Sequence, residues 1–318
     1  MKGVLGIGVK SRRVVTDNQY GFYNLVNGGR DLDMERSNNF LYDEWVNAGY
    51  VHYQRQMGKL GMQLGVRAEH TTSEGELSDF NYVRLQKNPS DYMDIFPSGG
   101  VSYMVNRKNS LNFTYSRRVD RPNYQDLNPF EFKLSELSFR KGNAFLDPQY
   151  THSVQLSHTY NYRLNTSFSY SSVDAFFAQL IDTIDTEGSF IITDNLATRQ
   201  VYNLNVSYPF SPRQWWNVFV TMGGTYSINE ADYGDGKEVD LKVPFFNIYG
   251  QSAFLLPHNL SLEISGWWNS GGVWGGIFKS DPIGGLDAGV QWKFDNDRGN
   301  IKLSMGDLFN TMSWGGQS

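Results

Sequence analysis

The sequence predicts an all-β chain folded as an antiparallel transmembrane β-barrel, and three observations predict it. Apolar and polar residues alternate almost without fault in several short runs, tight and long connections take turns along the chain, and aromatic residues gather beside the tight turns. Composition agrees: aromatics make up 15% of 318 residues, and glycine outnumbers proline by 32 to 10, a balance that suits pleated surfaces and crowded turns. A mean hydropathy of -0.47 speaks against a helical membrane protein. No window approaches the roughly 20 apolar residues that a spanning helix needs.

Alternation places the elements in order. Leu111, Phe113 and Tyr115 interleave with Asn112 and Thr114, and Val154, Leu156, His158, Tyr160 and Tyr162 interleave with Gln155, Ser157, Thr159 and Asn161. The same pattern returns at Tyr202, Leu204, Val206 and Tyr208, at Leu260, Leu262 and Ile264, and at Leu286, Ala288, Val290, Trp292 and Phe294. Strands of this kind need one dry face and one wet face. Thirteen are expected, at 2–14, 40–55, 60–74, 92–105, 110–118, 150–162, 165–181, 196–208, 214–229, 240–255, 260–270, 284–294 and 300–311. Tight turns fall at 56–59, 106–109, 163–165, 211–213, 257–259 and 295–299. Long links fall near 75–91, 119–149, 183–195, 230–239 and 270–284. Short turns on the periplasmic side and long loops outside are the mark of an outer-membrane barrel, with Tyr160, Tyr162, Trp215, Trp216, Trp292 and Phe294 as its interfacial girdle. A soluble all-β sandwich would instead scatter such aromatics into a buried core. Single-chain bacterial barrels have even strand numbers, so thirteen strands lead us to expect a partial barrel domain over 1–318, truncated at both ends.

One stretch abandons alternation. Residues 116–130 read SRRVDRPNYQDLNPF, and Pro122 and Pro129 each remove a ladder donor while Asn123, Asp126 and Asn128 favour side-chain turns that order a long loop. Arg117, Arg118 and Arg121 are expected to leave the strand where bilayer meets water, free to snorkel or to pair with anionic headgroups. Together with Gly142–Tyr150 (GNAFLDPQY), Asp94–Ser98 (DIFPS) and Gly306–Met312 (GDLFNTM), this stretch resembles the barrel of bacterial TonB-dependent receptors. The resemblance extends over essentially the whole chain. It implies a barrel of 22 strands, of which about 13 are present, around a plug domain that this sequence does not contain. It further implies energised uptake of a nutrient or metal chelate, with a TonB-type protein acting through the absent N-terminal region as partner. The loop residues expected to meet a ligand are Arg118, Arg121, Asn123, Tyr124, Asp126 and Asn128.

Other chemistry finds little support. The five histidines, at 52, 70, 152, 158 and 258, have no metal-ligand spacing, and neither HExxH nor GxSxG occurs, so no catalysis is expected. The absence of cysteine removes thiolate chemistry. The acidic group Glu230, Asp232, Asp235, Glu238 and Asp240 lacks the ordered grammar of a calcium loop, and a solvated loop tip explains it. Region 266–276, with Trp267, Trp268, Trp274 and paired glycines, suits either a girdle or a stacking surface. A net charge of -5 gives no reason to expect nucleic acid, and no cofactor is expected. The expected surroundings are outer-membrane lipid. A structural or adhesive barrel and a passive pore are the competing readings.

Overall fold

A computed structural model describes the chain except residues 1–2, 27, 81–83, 136, 185–187, 233–237, 275–277, 295–297 and 318. Its elements are β1 (Val4–Val26), β2 (Gly29–Met57), β3 (Leu60–Asp79), β4 (Arg84–Asn106), β5 (Asn109–Asp120), α1 (Tyr124–Leu127), β6 (Glu131–Lys133), β7 (Ser138–Lys141), β8 (Gln149–Tyr160), β9 (Leu164–Ile184), β10 (Gly188–Arg213), β11 (Trp216–Asp232), β12 (Glu238–Leu256), β13 (Leu260–Asn269), β14 (Val273–Trp274), β15 (Phe278–Ser280), β16 (Ile283–Phe294), β17 (Gly299–Met305) and β18 (Gly316–Gln317). One sheet follows the chain as β1-β2-β3-β4-β5-β8-β9-β10-β11-β12-β13-β16-β17, which matches the expected thirteen strands. The short β7 pairs with both β6 and β10, and β14, β15 and β18 form a small separate sheet.

The register gives the sheet two chemically distinct faces. Leu156, Phe168, Leu204 and Gly224 lie in one cross-strand row, and Met222 and Ile248 pair on the same side. On that side Leu156, Phe168, Leu204, Met222, Ile248, Leu64, Val66 and Leu303 are all exposed. A band of exposed aliphatic and aromatic side chains would be costly in water and is the expected surface toward lipid. The opposite face carries Gln63, Asn112, Gln155, Ser157, Asn205, Asn247 and Gln291, the amides and hydroxyls of a wet interior.

Aromatics border the apolar band. Near the tight turns Tyr208 stacks on Phe210 at 5.1 Å, Trp216 on Phe254 at 5.8 Å, and Trp292 meets Phe294 at 5.2 Å. Toward the other end Tyr170, Tyr202 and Tyr226 form a row with centroids 4.9 and 6.5 Å apart, and Trp45 donates to Ser11 at 2.8 Å. The tight turns need left-handed backbone without glycine at Asn161 and Tyr162 (φ 51 and 58) and at His258 and Asn259 (φ 62 and 57).

The described parts of three expected loops prove to be mainly strand. A bilayer is crossed by about 9–11 strand residues, yet β2 runs for 29, β10 for 26 and β4 for 23. The surplus continues the ladders beyond the membrane, so 75–91 and 183–195 are largely hairpin legs apart from their undescribed tips, and in 230–239 the described ends, Glu230–Asp232 and Glu238–Val239, are paired strand. The first hairpin extends the same way, with Val26 opposite Gly29. At the other end of the chain the expected strand 300–311 stops at Met305. Asp307, at φ 47, turns the chain and accepts from the Thr311 and Met312 amides at 2.8 and 3.0 Å. Within the acidic group, Glu230 pairs with Asp240 across the β11–β12 ladder and Lys242 donates to Asp240 at 2.6 Å; Asp235 lies outside the described residues. Trp267 and Trp268 point to opposite faces of β13, and Gly275 and Gly276 are not described.

Candidate functional site at the loop end of the barrel

The wall changes character between β4 and β5. The Met104 amide donates to Lys59 at 2.8 Å, so even-numbered residues of β4 bond toward β3 and odd-numbered ones toward β5. The next β5-facing pair above Ser98 and Ser116 would join Pro97 to Arg117, and Pro97 has no N–H. The ladder stops there, although β3–β4 pairing continues to Ser78 and Arg84 and β5–β8 pairing to Asp120 and Gln149. A notch opens upward from this point, and residues 121–148 fill it.

Side chains of the two quoted motifs bridge the notch. Arg117 donates to the Ile95 carbonyl at 2.6 Å, and its guanidinium lies 5.4 Å from the Phe96 ring centre and 4.4 Å from that of Tyr150. Asp94 sits 3.6 Å from Arg117 and accepts from the Tyr150 hydroxyl at 2.9 Å. Arg121 reaches the wet face, donating to Glu69 at 2.7 Å, Thr71 at 2.9 Å and Tyr92 at 3.2 Å. Glu69 also accepts from Arg67 at 2.5 Å and is nearly buried. Burial opposes the Arg121 charge, but Glu69 and Tyr92 outweigh it and hold the guanidinium firmly protonated. This corrects the expectation for Arg117 and Arg121. Both turn away from lipid, because buried carboxylates on β3 and β4 solvate them better than headgroups would.

The loop then folds back over the wet face. Asn123 caps α1 by accepting from the Gln125 and Asp126 amides at 3.0 and 3.1 Å, and its own amide group donates to Asp126. Asp126 also accepts from Arg140 at 3.0 Å. Asn128 is almost wholly buried and accepts from the Phe130 amide at 3.2 Å. Gly142 is required here, since a Cβ would stand 2.1 Å from the Asn128 carbonyl oxygen and 2.7 Å from that of Asp126. Leu127 and Leu146 pack on Phe40, with Tyr42, Leu77 and Phe177 around them. Asn195 pins the returning strand, accepting from the Asp147 amide at 2.7 Å and donating to the carbonyls of Asp147 and Ala175 at 2.9 and 2.7 Å.

Beneath the loop lies a cleft of about 450 Å³ lined by Lys10, Arg12, Glu44, Arg67, Glu69, Asp120, Arg121, Asn123 and Tyr124, among others. Of the six residues singled out from sequence, Arg121, Asn123 and Tyr124 meet at this cleft, with Tyr124 and Asn123 exposed. Asp126 and Asn128 are engaged in ordering the loop, and Arg118 is exposed on the wet face of β5, opposite Thr151. Sequence reasoning missed Lys10, Arg12, Arg67 and Glu69. The alternation of charged residues with the apolar ones on β1 and β3 was the available signal.

Comparison with known proteins bears on the fold. No curated protein sequence matches the chain. Among solved structures, the ferric-catecholate import receptor Fiu from E. coli K12 aligns with a TM-score of 0.68 at 12% identity, over 97% of this chain and 48% of its own. The ferric yersiniabactin uptake receptor FyuA from Yersinia pestis gives 0.67 at 12%, over 96% and 46%, and the copper transporter OprC gives 0.63 at 14%, over 97% and 49%. The chain spans about half the length of each of these proteins and shares the fold of that half. The profile of the outer membrane protein β-barrel family matches residues 1–318 from end to end, and together with the two-faced sheet this places the chain in the outer membrane as a member of that family.

Proposed function

We propose that this chain is wall and mouth of a TonB-dependent receptor that takes up a nutrient or metal chelate without chemically altering it. The inward-folded loop carries the reading: it places Asn123 and Tyr124 over a charged cleft on the wet face, where a ligand arriving from outside is met before it descends. The folds shared with import receptors and a copper transporter support an uptake role. Arg118, on the same face, extends the cationic side of the mouth toward the lumen. Arg121, Asp126 and Asn128 serve ligand capture by holding the loop in place.

The test is accumulation of a panel of labelled metal chelates by cells carrying the complete gene, with and without the energy-transducing protein. Accumulation that needs that protein and falls in Tyr124→Ala and Asn123→Ala supports the proposal. Binding to the cell surface with no energised accumulation would instead indicate an adhesive barrel, and energy-independent entry of small solutes would indicate a pore.

A further inference from the structure

We infer that the β4–β5 seam is a mechanical joint, and that loop 121–148 swings at it away from β4 while remaining fixed to β8–β10. The inference concerns the wall and holds whether or not the receptor reading does. Three observations carry it.

The first is the interrupted ladder. Below Ser98 and Ser116 the two strands are zipped, and above them Pro97 withholds the donor that the next pair needs. Pro89, of the same parity, withholds another from the same edge of β4. The second is the asymmetry of the loop's attachments. The tethers seen from the loop to β1–β4 run through side chains: Arg121 to Glu69, Thr71 and Tyr92, Asn88 to the Ala144 carbonyl, Tyr20 against Phe130 and Phe132, and Leu127 and Leu146 against Phe40. Toward β10 the loop is bound by backbone. Ser138–Lys141 pair in parallel with Ser189–Ile192, and the Ser189 amide donates to the Leu137 carbonyl at 2.8 Å. The third is that Arg117 and Tyr150 close the gap from the β5–β8 side, by contacts with Asp94, Ile95 and Phe96 that a rotamer change can release.

Side-chain contacts open by rotation about single bonds, whereas a ladder must lose its hydrogen bonds together. The loop therefore belongs to the β8–β10 body and is latched to the β1–β4 body, with Arg117 and Arg121 as latches. Such two-state elements, hinged where backbone pairing ends, are the usual substrate of gating motions.

The sequence contains no cysteine, so spin labels on introduced cysteines report single sites. One pair, Asp91→Cys with Gln125→Cys, spans the joint. The other, Gln125→Cys with Asp174→Cys, stays within one body; all three positions are exposed. In the full chain held in detergent micelles, Arg117→Ala with Arg121→Gln is expected to lengthen the first distance by at least one strand spacing, ~5 Å, and to leave the second unchanged. Arg118→Ala is expected to move neither. Neither distance moving in the double variant would overturn the joint, and so would both broadening together, which is unravelling of the loop. Pro97→Ala supplies the opposite perturbation without removing a contact. It is expected to slow hydrogen exchange at Arg117 and narrow the first distance, and no change in either would also overturn the inference.

Discussion

Replacing Arg121 with alanine isolates the electrostatic latch. Removing one partner of a fully buried ion pair typically costs about 3–5 kcal/mol, because the other charge is left without compensation. Here two features lower that figure. Glu69 keeps Arg67 at 2.5 Å, and the Arg121 side chain retains 21% of its exposure, so water screens part of the interaction. Losing the hydrogen bond to Thr71 at 2.9 Å works the other way, since Thr71 is completely buried. We place the net loss at about 2–3 kcal/mol, which raises the population of the locally unfolded 123–128 turn roughly 30- to 150-fold at 1.36 kcal/mol per decade. The readout is amide hydrogen exchange of Leu127 and Asn128, whose N–H groups donate to the carbonyls of Asn123 and Tyr124 at 3.3 and 3.1 Å. When closing outpaces exchange, the exchange rate tracks the open population. Arg118→Ala, one strand turn away and exposed, supplies the reference. Equal protection at Leu127 and Asn128 in the two variants would show that Arg121 does not fasten the loop.

Three more outcomes follow from the same geometry. Leu204→Arg puts a charge into the lipid-facing row and is expected to cost about 2–4 kcal/mol near the bilayer mid-plane, while Asn205→Arg on the wet face costs far less; the folded fraction after vesicle insertion, read as heat-modifiable gel mobility, separates them. Gly142→Ala drives a methyl into two backbone carbonyls and is expected to cost at least the roughly 1–3 kcal/mol of an overpacked site, seen as faster exchange across 123–128 with the rest of the wall unchanged. Asn195→Ala leaves the Asp147 amide and two carbonyls without a partner, a loss on the order of 1–3 kcal/mol that appears as earlier proteolysis between 134 and 148 than in wild type.

The membrane-crossing part of the sheet was legible because lipid imposes a period of two. Leu156, Phe168 and Leu204 face hydrocarbon and their neighbours face water, and the regular change between tight and long connections separates this pattern from that of a soluble sandwich. Above the bilayer both faces are wet and the constraint vanishes. The hairpin legs at 75–91 and 183–195 therefore read as loops, although ladders run through them where described, with register shifts at Leu77/Ser78 and after Asp194. The mouth was legible only in part. Motif 116–130 marked the loop and three residues of the cleft, but charged residues on a strand say nothing about which distant carboxylate they meet. Arg121 finds Glu69 some 50 positions earlier through the β3–β4 hairpin, a relation fixed by register and by no local pattern. Phe40 carried a faint signal, a large aromatic on the same parity as Glu44, His52 and Gln54, and it turned out to be the floor on which Leu127 and Leu146 rest.

The connection between β5 and β8 also governs the order in which the sheet grows. Every other neighbouring pair from β1 to β13 is a hairpin joined by a few residues, so its closure is local and fast. Between Asp120 and Gln149 the chain must instead bring its ends together across residues 121–148. With closure entropy rising as the logarithm of length, that junction costs about 2 kcal/mol more than a two-residue turn. β1–β5 and β8–β13 are thus expected to form as two separate hairpin trains. Their meeting at β5–β8 is then the expected late event of assembly, with the charged loop left in water until it happens.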